Sequence, residues 1–390
     1  MTNLGEQNHD AMISAESSAW TPAFVFPDLF LKDPIEDEIA AIVTFNDTRV
    51  REICARMPEF AEFVSKFTDA FGRKLQPSIL ILNKDAPKSF IKLGPATSFR
   101  DLVALSAIPI SRAKSALWQQ SFGTYYSDWY DFYPWMITLG RHLGCSTPAV
   151  ANLETVDNFR GQGDPGLLPV TLDKTDFDLV LLNALLKRWR VRYNGRPPTW
   201  PDRALFRSLD MAFAAAKMPA KADVSHFSLG RSISLWVSAF EILAHPKTGR
   251  SETSLVYSLL DKAPWHDAGL RRKRYKAFVS ANKQKQRKAP LRSLPCWLYG
   301  EIYHARNDFL HGNPVRPDRL VVKTSGKSLF NYAPLLYRMA LASFLDIRIP
   351  SPLASIQQLG ADHLARRMAF FDQQREIERE LRAIRKAVNK

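Results

Sequence analysis

The chain has 390 residues, enough for two domains or one large one with extensions, and 46% hydrophobic with 11% aromatic residues excludes a purely disordered polymer. Lys and Arg exceed Asp and Glu by 15, with a pI near 9.7, which favours nucleic acid or another polyanion as partner. No run of about 18 apolar residues occurs, so no membrane association through a spanning helix is expected. Cys54, Cys145 and Cys296 lie far apart with neither CxxC nor zinc spacing, which points to reduced thiols in a cytoplasmic protein and to no metal site.

Residues 1–19 lack a basic n-region and an apolar h-region, and read as a disordered lead rather than a secretory signal. Residues 20–172 form an N-terminal region of mixed α+β or α-rich character whose fold and role the pattern does not name. Asp28 to Phe45 begins with Pro and acidic residues in the manner of a helix N-terminus. Thr48 to Phe71 reads as helix on both sides of a break at Pro58, and Ser78 to Leu82 is the clearest strand. Ser98 to Trp118 is a second helical stretch, interrupted at Pro109. Tyr125 to Trp135 is packed with aromatics and reads either as an aromatic core or interface, or as a base-stacking platform. Gly144 to Pro169, rich in Gly, Pro and Asn, is the candidate linker.

Residues 173–350 read as a helical bundle: Lys174–Arg192, Arg203–Met218, Leu229–His245, Glu252–Leu260, Pro295–Pro314 and Ala333–Asp346 each carry helical periodicity. The chain as a whole is therefore expected to be mainly α. Residues 351–390 form an amphipathic pattern with alternating charge, read as a long exposed helix. No GxGxxG, P-loop, HExxH or GxSxG motif occurs, and no cofactor is expected.

Two helices stand out. Between Pro295 and Pro314, Leu298, Ile302, Ala305 and Phe309 recur at the spacing of a buried face. At about 100° per residue, Asn307 and His311 fall roughly opposite that stripe, with His304 near them and Arg306 between the two faces. Gly312 is placed to cap the helix. Upstream, Leu229–His245 is apolar on nearly every side except for Ser234, Ser238, Glu241 and His245. Such a helix is buried, so Glu241 needs a partner, and Arg306 is the natural candidate. Between the two helices Arg271, Arg272, Lys273, Arg274, Lys276, Lys283, Lys285, Arg287, Lys288 and Arg292 occur with no acidic residue among them.

The run Arg306-Asn307-Asp308-Phe309-Leu310-His311 resembles the Arg-x4–6-His signature of the HEPN superfamily of all-helical ribonucleases and nucleotide-binding proteins, in which a polar residue follows the Arg. The stretch SISLWVSAFEILAH resembles the apolar-Ala-x-Glu-x-Leu helix of the Apea-like HEPN branch. The resemblance covers roughly Asp173 to Ile349. It implies a HEPN-like bundle and a metal-independent endoribonuclease, a regulated toxin or anti-phage effector that works as a homodimer through the Arg306–His311 helix.

Under that resemblance Arg306, Asn307 and His311 would be catalytic and Glu241, His304 and Asp308 supporting. Arg271, Arg272, Lys273, Arg274, Lys276, Lys285, Arg287 and Lys288 would contact a single-stranded or tRNA-like RNA. The competing expectation is a non-catalytic RNA- or nucleotide-binding or dimerisation module built on the same helices.

Overall fold

In the computed structural model the apolar N-terminal runs form a sheet covered on both faces. Residues 19–69, 71–118, 126–135, 171–218, 226–249, 252–276, 291–313, 316–322, 326–348, 374–375 and 377–382 are described. Strands β1 (Trp20–Phe26), β2 (Phe30–Leu31), β3 (Ile35–Glu36) and β4 (Ala40–Val43) precede helices α1 (Thr48–Arg56) and α2 (Pro58–Ser65). Then come β5 (Ser78–Asn83), α3 (Leu93–Trp118) and β6 (Tyr133–Pro134). The sheet order is β3-β4-β5-β1-β6, with antiparallel neighbours and pairs such as Val25↔Ile79 and Ala40↔Leu82. Alternation sends Val25, Ala41, Val43, Ile79 and Ile81 toward α1 and α2, while Phe24, Phe26, Ile42, Leu80 and Leu82 face α3. A sheet buried on both faces reads as unbroken apolar runs, which is why SILIL stands out.

The expected helix start at Asp28–Phe45 is instead the β3–β4 hairpin. Its acidic residues serve a turn: Asp37 accepts the Ile39 N–H at 3.1 Å, and the Asp37 N–H reaches the Ala40 carbonyl at 2.8 Å. The break at Pro58 is observed, with Pro58 opening α2. Pro109, by contrast, lies inside α3 without ending it. Ile108 and Ile110 beside it are fully buried, and packing of α3 on its neighbours holds the turn that proline weakens. The aromatic cluster belongs to the core: Trp129 and Tyr130 are buried, Phe132 stacks on Phe24 at 3.8 Å, and Trp135 packs on Phe60 and Phe63. Trp129 and Tyr130 are too enclosed to stack on a base, while Tyr126, Phe132, Tyr133 and Trp135 are half-buried and Tyr125 lies outside the described residues.

The remainder of the described chain is helical: after β7 (Thr171–Leu172) come α4 (Leu179–Tyr193), α5 (Trp200–Ala215), α6 (His226–Ala244), α7 (Thr253–Asp261) and α8 (Ala268–Arg272). The short strands β8 (Tyr275–Lys276) and β9 (Leu291–Arg292) pair antiparallel ahead of α9 (Leu294–Leu310) and α10 (Leu329–Phe344). The protein is thus mainly helical. Helix α5 lies along α6, α9 packs on α6, α10 and α7, and α3 packs on α4, α5 and α10. One apolar cluster runs without a gap from Phe24 and Leu80 through Leu102 to Leu298, Ile302 and Leu335. Helix α3 therefore ties the sheet to the bundle, and the candidate linker Gly144–Pro169 lies outside the described residues. Among the described residues no helix is long and apolar enough to cross a membrane.

Of the C-terminal segment 351–390, expected as a long exposed helix, only residues 374–375 and 377–382 are described, and these are partly enclosed. Gln374, Ile377, Glu378, Glu380 and Leu381 are all buried. Glu378 accepts the N–H groups of His266 and Asp267 at 2.6 and 2.8 Å, Glu380 meets Lys327 and Tyr332, and Gln374 bonds Arg338. Arg338 in turn reaches Asp178 at 2.7 Å with both side chains almost fully buried. Asp178 also caps α4 by accepting the Leu181 N–H at 3.0 Å.

Breaking that buried pair leaves an uncompensated charge. Arg338→Met is expected to cost about 3–5 kcal/mol in urea unfolding. The double variant with Asp178→Asn should lose less, because no buried charge is then stranded. Equal losses for the two variants would show that the charge is not what matters.

Candidate functional site

Helix α9 is closed at both ends by recognisable devices. Pro295 occupies its first turn after Ser293, whose hydroxyl bonds Asp261 at 2.5 Å. At the other end Gly312 takes a φ of 67°, Gly312 N–H reaches the Phe309 carbonyl, and Asn313 N–H reaches the Asp308 carbonyl at 3.0 Å. This is the six-to-one and five-to-two pattern of a Schellman cap, as the position of Gly312 leads one to expect. His311 is the capping residue and lies exposed at the tip.

The buried face of α9 is the expected one, with Leu298, Ile302 and Ala305 fully enclosed. Phe309 closes the stripe against Gly230, where an added Cβ would stand 2.3 Å from the ring. Phe240 near the end of α6 meets Tyr299 in the first half of α9 at 5.0 Å, so the two helices run antiparallel. On α6, Ile233, Trp236, Val237, Ala239 and Phe240 are fully buried, whereas Leu235 and Ile242 are only half-buried. One edge of the helix is therefore more open than its composition suggests. Along that edge the Ser234 and Ser238 hydroxyls donate back to their own helix, at 2.9 and 3.1 Å.

Glu241 and Arg306 feel each other across this seam without touching. Burial raises the Glu241 carboxyl above its usual range, and the Arg306 charge opposes that rise. The two side chains form no ion pair within contact distance, so the expected direct pairing is replaced by coupling through space. Arg306 instead donates from Nη1 to Asn307 Oδ1 at 2.9 Å and lies 5.8 Å from the centre of the Tyr303 ring. Its Nε is buried with no hydrogen-bond partner, and so is the hydroxyl of Tyr299. Burial pushes the Tyr299 phenol well above its ordinary value, and the Glu241 charge adds to the rise.

The remaining candidates sit on the opposite flank of α9. Asp308 accepts from Arg319 Nε at 3.0 Å and from Asn313, and Glu301 lies 3.9 Å from the same arginine. Asp308 thereby ties the short turn Pro317–Leu320 back to α9. His304, half-buried beside it, is pushed down to about 4 by burial and by the Arg319 charge. It is neutral at physiological pH and cannot serve there as a proton donor from the imidazolium.

Arg306 and His311 are five residues apart, about 140° around the helix axis, so within one chain they diverge rather than converge. The six candidates thus divide into Glu241, Arg306 and Asn307 at the α6–α9 seam, His304 and Asp308 beside Arg319, and His311 at the tip.

The basic segment is anchored by the β8–β9 pairing, in which Tyr275 opposes Arg292. Arg271, Arg272, Arg274 and Lys276 are exposed and Lys273 is half-buried. Lys283, Lys285, Arg287 and Lys288 lie outside the described residues. Tyr275 packs on Trp297 at 5.8 Å, which places this stem beside the start of α9. Rise along the helix sets it about 14 Å from Arg306 and about 21 Å from His311. A second basic stretch, Lys187 to Arg207, could extend such a track, but within it Arg188 pairs with Asp202 and Arg190 with Asp37, so these two charges are committed to the fold.

Tyr299, Arg319 and Gly230 shape the site without having been singled out by sequence. Only Gly230 carried a signal, as a lone glycine in an otherwise apolar helix. Among the described residues no three His, Cys, Asp or Glu side chains converge as a metal-ligand set. Comparison with protein-family models, curated proteins and solved structures gives no match for this chain.

The His304 shift fixes the sign of a pH effect. The folded protein binds the His304 proton less readily than the unfolded chain, so the contribution is fully present above pH 6.5 and is lost as pH falls toward about 4. His304→Gln should therefore retain more of its neutral-pH stability at pH 5 than the wild type in thermal unfolding. Parallel losses in both proteins would remove His304 from the account.

Proposed function

We propose that this chain is a HEPN-type, metal-independent endoribonuclease. The observation that carries the reading is the end of α9, where Arg306 and Asn307 are hydrogen-bonded at the half-buried α6–α9 seam and a capped His311 lies exposed at the tip. In the proposed reaction the ribose 2′-oxygen attacks the adjacent phosphorus and the 5′-oxygen leaves. The products are a 2′,3′-cyclic phosphate and a free 5′-hydroxyl. The exposed imidazole of His311 serves as the proton-transfer group at the 2′-oxygen or the leaving oxygen. Arg306 holds the phosphate and offsets the charge that grows on it in the transition state. With Asn307 Oδ1 taken by Arg306, its amide nitrogen remains to donate to a phosphate oxygen.

The divergence of Arg306 and His311 supports a composite cleft. Two copies apposed through α9 would bring the arginine of one to the histidine of the other. The exposed cations of the β8–β9 stem lie one short strand's reach away and suit sequence-independent contacts to RNA phosphates. A growth-arresting or anti-phage role fits such an enzyme. A second reading, a module that grips RNA without cutting it, is favoured by the mutual hydrogen bond of Arg306 and Asn307, which already occupies two of the polar groups.

Incubation with a mixed RNA pool in EDTA separates the two. The nuclease reading expects cyclic phosphate ends from the wild type and a rate lowered about 100- to 10,000-fold in His311→Ala. Retained RNA binding with no turnover by either protein supports the binding module, and equal cutting by both removes His311 from the chemistry.

The stem makes a separate prediction. Replacing Arg271, Arg272, Arg274 and Lys276 together with Ala should reduce the slope of log affinity against log salt by about 3 for single-stranded RNA. An unchanged slope would place the RNA track elsewhere.

A further inference from the structure

At the C-terminal end of α6, away from the Arg306 seam, a cleft of about 340 Å³ opens between α5, α6, α7 and the end of α10. That volume lies within the range of small-molecule sites. Its walls are largely apolar, with Trp200, Leu243, Leu259 and Phe344 among them, and its polar groups include His245 and Lys262. No lining residue is acidic.

The local structure determines what these groups offer. Trp200 Nε1 donates to the His245 carbonyl at 2.7 Å, so the polar atom of the indole is consumed and its ring presents apolar surface. The His245 ring stands edge-on to that indole at 5.7 Å. His245 Nδ1 accepts the Lys247 N–H at 3.1 Å, which in the neutral ring leaves the proton on Nε2 as a donor. The turn that delivers this bond is strained: Lys247 holds a left-handed φ of 81°, uncommon for a side-chain-bearing residue. Lys262, the C-cap of α7, is exposed and makes no side-chain hydrogen bond or ion pair among the described residues.

We propose that this cleft binds a small amphipathic anion, a planar apolar body bearing one carboxylate or sulfonate. The body fills the space against Trp200, Leu243 and Phe344, and the acidic group meets the Lys262 ammonium. Charge complementarity selects the class, since the lining pairs a free cation and an imidazole N–H with no carboxylate. The site is independent of the nuclease reading, because none of its residues belongs to the Arg306–His311 helix.

Calorimetric titration of the full chain with 8-anilinonaphthalene-1-sulfonate, and with the uncharged N-phenyl-1-naphthylamine, tests it. The expected result is one saturable site per chain for the sulfonate. Ser258→Phe, which places a ring at the exposed mouth without entering the core, should weaken that binding at least tenfold while circular dichroism is unchanged. Lys262→Gln should weaken the sulfonate at least fivefold and leave the neutral amine unaffected. Absence of saturable binding, or binding indifferent to Ser258→Phe, overturns the site. Loss with Ser258→Phe but not with Lys262→Gln overturns the anion assignment.

Discussion

The approach of α6 to α9 at Gly230 sets the geometry on which the candidate site rests. A Cβ at that position would stand 2.3 Å from the Phe309 ring, closer than any real contact of this kind, so a larger residue would force the helices apart. With glycine there, Phe309 drops onto the α6 backbone and the two helices close along their length. Phe240 then reaches Tyr299, and the charge of Arg306 is felt at Glu241. Past Phe309 the helix ends in its cap, and His311 lies about 140° around the axis from Arg306. This is why Arg306 is half-enclosed while His311, five residues later, is exposed.

Two buried polar systems in this protein are solved differently. Around Arg338 every charged group finds a partner: Asp178 takes the guanidinium and caps α4, Gln374 bridges to Glu378, and Glu378 holds two backbone N–H groups. Such a satisfied network joins elements and leaves nothing over for a ligand. The α6–α9 seam is built the other way. Arg306 Nε and the Tyr299 hydroxyl are buried without partners, and Glu241 is half-buried without an ion pair. Unpaired polar atoms in a buried place cost stability, and a fold that tolerates them next to one another holds capacity for an incoming polar group.

Much of α9 was legible from its sequence because the relevant signals are local. The apolar stripe of Leu298, Ile302 and Ala305 follows from helical periodicity, and Gly312 marks the end because only a left-handed residue completes that cap. The misreadings came where distant packing outweighed a local signal. Pro109 weakens a helix in isolation, yet α3 is enclosed by the sheet and three helices and continues through it. Pro34 and the acidic residues after it imitate a helix start, but Ala40–Val43 is buried on both faces in the sheet, and Asp37 spends its carboxylate on a turn and on Arg190. The distinction between Asp308 and Asn307 was beyond reach altogether. Both are polar and adjacent on one helix, and only the fold brings Arg319 back to claim the aspartate.

The distribution of apolar residues along α6 also explains how one helix can border two unrelated surfaces. Its fully buried positions, Ile233, Trp236, Val237 and Phe240, form the face that packs into the bundle and fixes the helix rigidly. Its half-buried edge is free to meet the Arg306 seam through Glu241, and its end, one turn further at His245, meets the wall of the apolar cleft. The sequence requirement is modest: apolar residues at the buried spacing, a glycine where α9 crosses, and Glu241 and His245 at positions that the bundle leaves half-covered.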